Sequence, residues 1–321
     1  MHYQHVETSQ LPAGTHLPGL LPALFRSADR TLTTRINVSE RAFCSRVAAE
    51  SESLVDSVVA VLRGRPGVFG VYARNLTTDE VIAVEAERVF PAESTVKTAI
   101  LLHYERCVEA GVLDPKRRVS LVPERRFDGS GVLRYLDDGL SPTLDDLAWL
   151  MIIVSDNSAT AMLVEALGGP NEINNTTANL GCPTTQLNES ITLESALAGE
   201  SFSWSSPRDL AELYAHLGER ARAILFRQQH LLGLPRRLPH LAYAADVGIA
   251  MPIRVYNKTG NGIGRFIDSG LFETDAAAWI VAAMSDEQTD FACRPDDAAP
   301  LAFGAIGELL CDAWGGLTDA P

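Results

Sequence analysis

The sequence predicts an α/β (α+β) fold: one antiparallel sheet assembled from distant parts of the chain and packed with a helical insert. Three observations carry this. Short β-rich runs, "GVFGVYARNL" and "EVIAVEA", stand near the start, and "IRVYNKTG", "GRFIDSGLFE" and "AAAWIVAAM" stand near the end. Between them, from Ser94 to about Leu217, apolar residues recur at helical spacing. The chain has 321 residues, 46% of them hydrophobic, which is ample for a well-buried core.

Residues 1–45 are rich in Pro, Thr, Ser and His and lack periodicity, so they read as an irregular N-terminal extension. The organised domain is expected over 46–315, with its sheet drawn from 65–90 and 246–285 and its helical subdomain over about 94–240. "SRVAAESESLVDSVVAVLRG" has helical spacing and stops on Gly64, and the two runs after it, parted by Thr77, Thr78 and Asp79, predict a hairpin. "TLDDLAWLMIIV", "SATAMLVEALGG" and "SPRDLAELYAHL" each open with Ser or Thr, residue types that cap helix N-termini. "LAFGAIGELLCDAW" reads as the last helix. Trp149, Trp204, Trp279 and Trp314 fall in apolar patterns and are expected in the core.

Composition excludes several classes of partner. The 27 basic and 41 acidic residues leave a net charge of −14, which repels phosphate backbones and anionic lipid surfaces, so neither nucleic acid nor membrane is expected. Five scattered cysteines, Cys44, Cys107, Cys182, Cys293 and Cys311, read as free thiols of a reducing compartment. The first 25 residues hold no Lys or Arg, and their apolar run is short and broken by proline, so a cytoplasmic location is expected. The seven histidines show no metal-ligand spacing, and His103 reads as a packed or surface residue. No metal or other cofactor is expected. "GNGIG" lacks the strand-to-helix context of a phosphate loop.

One feature of the helical part is chemical rather than structural. "FPAESTVKTAILLHYERC" places Ser94 and Lys97 at the front of an apolar helix. Three residues apart, they share a helical face, and a lysine buried there loses hydration and favours its neutral form, which can take a serine proton. The helix N-terminus adds positive potential and backbone N–H groups that suit an attacking alkoxide and the oxyanion that follows. An S-x-x-K alone is expected roughly once by chance in a chain of this length. Here "VSDNS" adds Ser155, Asp156 and Asn157, and "YNKTGNG" adds Lys258, Thr259 and Gly260. All three motifs in this order arise by chance on the order of once in a thousand such chains.

With these motifs, and with the stretch "GSGVLRYLDDGLSPTLDDLAWLMIIVSDNSATAMLVEALGGPNEIN", the sequence resembles the penicillin-recognising serine hydrolases, most closely the class A β-lactamase-like family, over about residues 46–315. The resemblance implies a β-lactamase/transpeptidase-like fold, a five-stranded antiparallel sheet beside a helical subdomain with the site between them. It also implies roles: Ser94 as nucleophile, Lys97 as its base, and Ser155 as proton donor to the leaving nitrogen. Asn157 would hold Lys97 and the substrate amide, Lys258 and Thr259 a substrate carboxylate, and Gly260 would let the edge strand approach. The backbone N–H groups of Ser94 and Asn261 would form the oxyanion hole.

The chain departs from that family in one loop. Where class A enzymes carry E-x-x-x-N, "TTQLNESITLESALAGESFSWSSP" offers only Glu189 and Glu194 without the asparagine, as candidate deacylation bases. Arg254 shares a strand face with Lys258 but reads as a surface residue. The expected partner is a small acyl compound bearing a carboxylate. Three readings stand: a β-lactam hydrolase or related serine hydrolase; a cytoplasmic acyltransferase, amidase or esterase that keeps the nucleophile but not fast deacylation; and a non-catalytic ligand-binding module, against which the intact motifs argue.

Overall fold

Where residues of both faces of a sheet are apolar, the sheet must be covered on both sides, and this is how the chain is built. The structure, a computed structural model, describes residues 53–188, 201–240, 244–291 and 294–317. Its elements run α1 (Leu54–Leu62), β1 (Val68–Asn75), β2 (Val81–Val84), β3 (Phe90–Pro91), α2 (Lys97–Glu109), α3 (Leu144–Ile153), α4 (Asn157–Ala166) and α5 (Pro170–Asn179). They continue with β4 (Gln186–Leu187), β5 (Ser203–Ser205), α6 (Pro207–Glu212), α7 (Glu219–Leu225), β6 (Arg254–Gly262), β7 (Arg265–Glu273), β8 (Ala278–Asp286) and α8 (Ala298–Trp314).

Among the described residues, five strands form one antiparallel sheet in the order β2-β1-β8-β7-β6, so the two ends of the chain meet where β1 pairs with β8. A smaller sheet of β3, β5 and β4 lies apart from it. The expected fold class and the sheet drawn from both ends of the chain are both present.

Strand alternation sorts the core into two layers. Trp279, Val281 and Ala283 of β8 face α1 and α8, burying against Val58, Phe303, Ile306 and Trp314. Ile280, Ala282 and Met284 face the other way, against the helices that begin with α2. The hairpin between β1 and β2 turns where expected: the Asn75 side chain accepts hydrogen bonds from Thr77 N at 2.8 Å and Thr78 N at 3.2 Å, and Asp79 adopts φ 61°.

Local signals explain the helix starts. Thr143 and Asp146 form a capping box at α3, and Ser53 and Asp56 form one at α1. Two expectations are corrected. The cap of α4 is Asp156 rather than Ser158, because the Asp156 carboxylate accepts Ala159 N at 2.9 Å and the helix begins two residues earlier, at Asn157. The expected single helix over "SPRDLAELYAHL" is α6 followed by a tighter 3₁₀ turn, Leu213–His216. Trp279 and Trp314 are core residues as expected, whereas Trp149 and Trp204 are only partly buried. The boundary expected near residue 45 lies outside the described residues. No helix among the described residues is long and apolar enough to cross a membrane.

Phe303 is fully buried and meets Phe266 with ring centroids 5.5 Å apart and Phe69 at 6.4 Å, joining α8 to the sheet. Phe303→Ala should cost about 3–5 kcal/mol, read as a lowered denaturant midpoint with an unchanged slope.

Candidate active site

Ser94 lies in a 3₁₀ turn, Glu93–Val96, that runs directly into α2. No side chain caps this start. The turn is buried except at Ser94 itself, which is half-exposed and opens into a cavity of about 320 Å³ with Ser130, Ser155, Thr259 and Asn261. His230, Leu232 and Phe266 complete the cavity wall. The chain thus brings Ser94, Ser155 and Thr259, from the turn before α2, the α3–α4 junction and β6, to one place.

Lys97, the first residue of α2, is almost completely buried. Its Nζ donates to Ser155 O at 2.7 Å, Ser155 Oγ at 3.0 Å and Asn157 Oδ1 at 2.9 Å. Burial pushes its pKa well below the ordinary lysine value, the charge of Lys258 pushes the same way, and Asp156 pulls against both. Lys258, fully buried on β6, donates to Ser155 Oγ at 3.1 Å and to Thr259 O at 2.7 Å. Burial lowers its pKa to about 7, opposed by Asp268. One hydroxyl therefore receives two amines. A hydroxyl has two lone pairs and one hydrogen, so with both lone pairs engaged Ser155 has its proton to give.

The "VSDNS" segment holds this geometry through each of its three motif residues. Ser155 adopts φ 56°, a left-handed conformation uncommon for a residue with a Cβ. The Asp156 carboxylate accepts Val132 N at 2.6 Å and Leu133 N at 2.8 Å besides capping α4, which ties the "GSGVL" loop to the site. Asn157 donates from its side chain to Asp128 O at 2.8 Å while its Oδ1 takes Lys97.

On the opposite wall, β6 is an edge strand of the sheet, in register with Phe266 at Asn261 and with Asp268 at Thr259. A Cβ at Gly260 would lie 3.0 Å from each of Ala92 O, Glu93 Cβ and Ser94 N, so glycine is what lets this edge reach the backbone of Ser94. A buried hydroxyl relay ties the two walls: Tyr214 Oη lies 3.0 Å from Thr98 Oγ1 on α2 and 3.1 Å from Ser269 Oγ on β7.

Three features carried no sequence signal. Glu93, immediately before the nucleophile, is buried at φ 48° and pairs with Arg265 at 3.3 Å, which also donates to Asp286 at 2.9 Å. Burial raises the Glu93 pKa and Arg265 opposes it. Asp268 is fully buried, pushed up to about 7 by burial, and accepts Asn257 Nδ2 at 3.0 Å and Leu234 N at 2.8 Å. His230 joins the cavity from the loop after α7.

Beyond Lys97 and Asn157 lies a second, apolar cavity of about 330 Å³, lined by Phe127, Val164, Leu187 and Phe202 among others. Among the described residues its two carboxylates are committed elsewhere: Glu165 grips Arg125 through both oxygens at 2.7 and 3.0 Å, and Asp128 pairs with Arg134 at 2.9 Å. Glu189 and Glu194, the expected candidates for a deacylation base, lie outside the described residues. Arg254 is an exposed residue paired with Glu273 and Asp275, as the surface reading expects. His103 is half-buried on α2, its Nδ1 2.8 Å from Thr176 Oγ1. Among the described residues no group of three or more His, Cys, Asp or Glu side chains converges where a metal could bind.

Gly260→Ala should slow modification of Ser94 by an acylating probe about ten- to a hundredfold, because the added methyl must push β6 from the nucleophile's turn. Stopped-flow mixing with mass detection of the adduct measures this.

The chain is similar to known proteins in sequence and in structure. In sequence the chain is 30% identical over 154 residues to the carbapenem-hydrolyzing β-lactamase KPC of Klebsiella oxytoca, covering 46% of this chain and 50% of that one. It is likewise 30% identical over 152 residues to a β-lactamase of Streptomyces lavendulae. The chain spans about half the length of the curated relatives it matches. In structure it is similar to a β-lactamase from Sphaerobacter thermophilus, with TM-score 0.71 and 28% identity over 82% of this chain and 98% of that one. PBP-A, at 24% identity and TM-score 0.69, covers 82% of this chain and 96% of its own and shares the fold. The family model described as the beta-lactamase enzyme family matches residues 53–314, and the chain belongs to that family.

Proposed function

We propose that the protein is a serine hydrolase that forms an acyl-enzyme on Ser94 with β-lactams or related amides and esters bearing a carboxylate. The observation that carries this reading is the Ser155 hydroxyl held between Lys97 and Lys258 on the wall of the cavity into which Ser94 opens. The names of the relatives, β-lactamases including one that hydrolyses carbapenems, support the choice of substrate class.

Each step follows from residue chemistry. Neutral Lys97, favoured by burial and by Lys258, takes the Ser94 proton as the alkoxide attacks the carbonyl. The backbone N–H groups of Ser94 and Asn261 receive the oxyanion. Ser155 passes its proton to the leaving nitrogen, and the amines on its lone pairs replace it. Asn157 orients the substrate amide, and Lys258 and Thr259 take the carboxylate. Gly260 leaves the room that this requires. Water or a second substrate then attacks the Ser94 ester.

A second reading, acyl transfer rather than fast hydrolysis, rests on the departing loop and on the two arginine-bound carboxylates beside Lys97. Both readings share the acyl-enzyme. A cytoplasmic setting, a domain beginning near residue 46, and a lack of nucleic-acid or membrane partners remain part of this proposal.

Ser94→Ala should abolish the covalent adduct seen by intact-protein mass spectrometry with a panel of penicillins and activated esters. Lys97→Ala should slow its formation by about a hundred- to ten-thousandfold. An undiminished adduct in Ser94→Ala overturns the assignment. With penicillins, a burst of one equivalent followed by slow turnover is expected, and Glu189→Gln and Glu194→Gln test whether either carboxylate supports that turnover. Rapid hydrolysis with no accumulating adduct, indifferent to both substitutions, would contradict slow deacylation.

The charge on Lys258 gives a pH signature. With its pKa lowered to about 7, the lysine is charged below that pH and neutral above it. The kcat/KM for a carboxylate substrate should therefore fall as pH rises through about 7, while that of its methyl ester should not follow. Lys258→Ala should bring acid and ester together.

A further inference from the structure

His230 is fixed in the cavity from three sides. Its backbone N–H donates to Gln228 Oε1 at 3.1 Å, and its carbonyl accepts Asn257 Nδ2 at 3.4 Å from β6. Gln228 is itself buried and anchored by donating to Ile152 O at 3.0 Å at the end of α3. The imidazole faces the Val154 carbonyl, one residue before Ser155. Further along, Leu234 N is clamped by Asp268, and Gly233 has no room for a Cβ against that carboxylate. A loop held so tightly is a scaffold for the side chain it presents.

That side chain is exposed to the cavity that Ser94, Ser155 and Thr259 also line. A neutral imidazole keeps one ring nitrogen as a lone pair. Burial and the charges of Lys258 and Lys97 hold the ring neutral to lower pH than usual, and the Val154 carbonyl opposes them. Lys258 on β6 and Lys97 on α2 face it, with Asp268 behind Lys258 and Asp156 beside Lys97. The described carboxylates near Lys97 are all engaged, Asp156 by three backbone N–H groups and Glu165 and Asp128 by arginines.

We propose that His230 is a further acid–base residue of this site, the group that takes the proton of the water attacking the Ser94 ester. This rests on the acyl-enzyme reading. Water oxygen bonds to the acyl carbon as its proton moves to the free imidazole nitrogen. The tetrahedral intermediate then collapses, the carbon–Oγ bond breaks, and Ser94 regains a proton from Lys97 or Ser155. The free acid leaves, and the proton on His230 returns through solvent to whichever group supplied Ser94, so that each residue regains its starting state.

The test separates formation from loss of the adduct. The enzyme is mixed with one equivalent of penicillin G, and intact mass follows adduct growth and decay between pH 5 and 8. In the parent protein decay should slow as pH falls through a midpoint below the ordinary histidine value of about 6.5, because the ring charges and the base is lost. His230→Gln should form the adduct with the parent's amplitude, lose it about a hundredfold or more slowly, and show no such midpoint. In His230→Ala, added imidazole should restore part of the decay. Decay in His230→Gln at the parent's rate and with the parent's profile overturns the inference and leaves Ser94 intact as nucleophile, as does a parent profile without the midpoint. Absence of both adduct and penicillin turnover in the parent overturns both together.

Discussion

Two buried lysines converge on one serine hydroxyl, and most of the surrounding structure answers to that arrangement. An ammonium taken out of water costs several kcal/mol unless its hydrogens find acceptors. Two of them close together cost more. Lys97 and Lys258 meet this with backbone carbonyls, one amide oxygen and the shared Ser155 Oγ. What acceptors do not offset is expressed as lowered pKa values. The same shift that relieves the fold leaves an amine able to take a proton near neutrality, so the electrostatic cost of burial and the reactivity of the site have one source.

Holding three chain segments to that point requires rigid supports that are not themselves reactive. Asp156 binds the loop at Val132 and Leu133 and starts α4, so the turn carrying Ser155 has its neighbours fixed on both sides. Tyr214 bridges α2 and β7 behind the two lysines. Asp268, beneath β6, fastens the 228–234 loop. These contacts join residues as many as 116 positions apart in sequence. A local segment alone has no reason to adopt them.

That distance also explains what could be read beforehand. The nucleophile turn, the SDN and KTG segments and the strands at both ends were legible, because each is a short pattern whose chemistry or period is complete within a few residues. Gly260 was legible through the resemblance, and the space around it gives the physical reason. His230 was not, since a lone histidine in a loop has no period and its place is set by Gln228, Val154 and Asn257 from three different elements. The Glu93–Arg265 pair was hidden for the same reason, its partners lying 172 positions apart. The shift of the α4 cap from Ser158 to Asp156 reflects competition between two good capping residues, decided by which also satisfies the "GSGVL" loop.

Strain follows the same logic. Glu93 and Ser155 both adopt left-handed backbone conformations, costing of order 1–3 kcal/mol each. One stands immediately before Ser94 and the other carries the shared hydroxyl. Neither would persist unless the surroundings over-determined it. At Ser155 the two lysines and the ends of α3 and α4 do so. At Glu93 the ion pair with Arg265 does, with β6 packed against the turn through Gly260 and Gly262. Relaxing either residue to an ordinary conformation would re-aim a hydroxyl on one side of the cavity. The strain is therefore tolerated where the direction of an oxygen matters most, and it is held by hydrogen bonds and an ion pair that a purely structural core would replace with apolar packing.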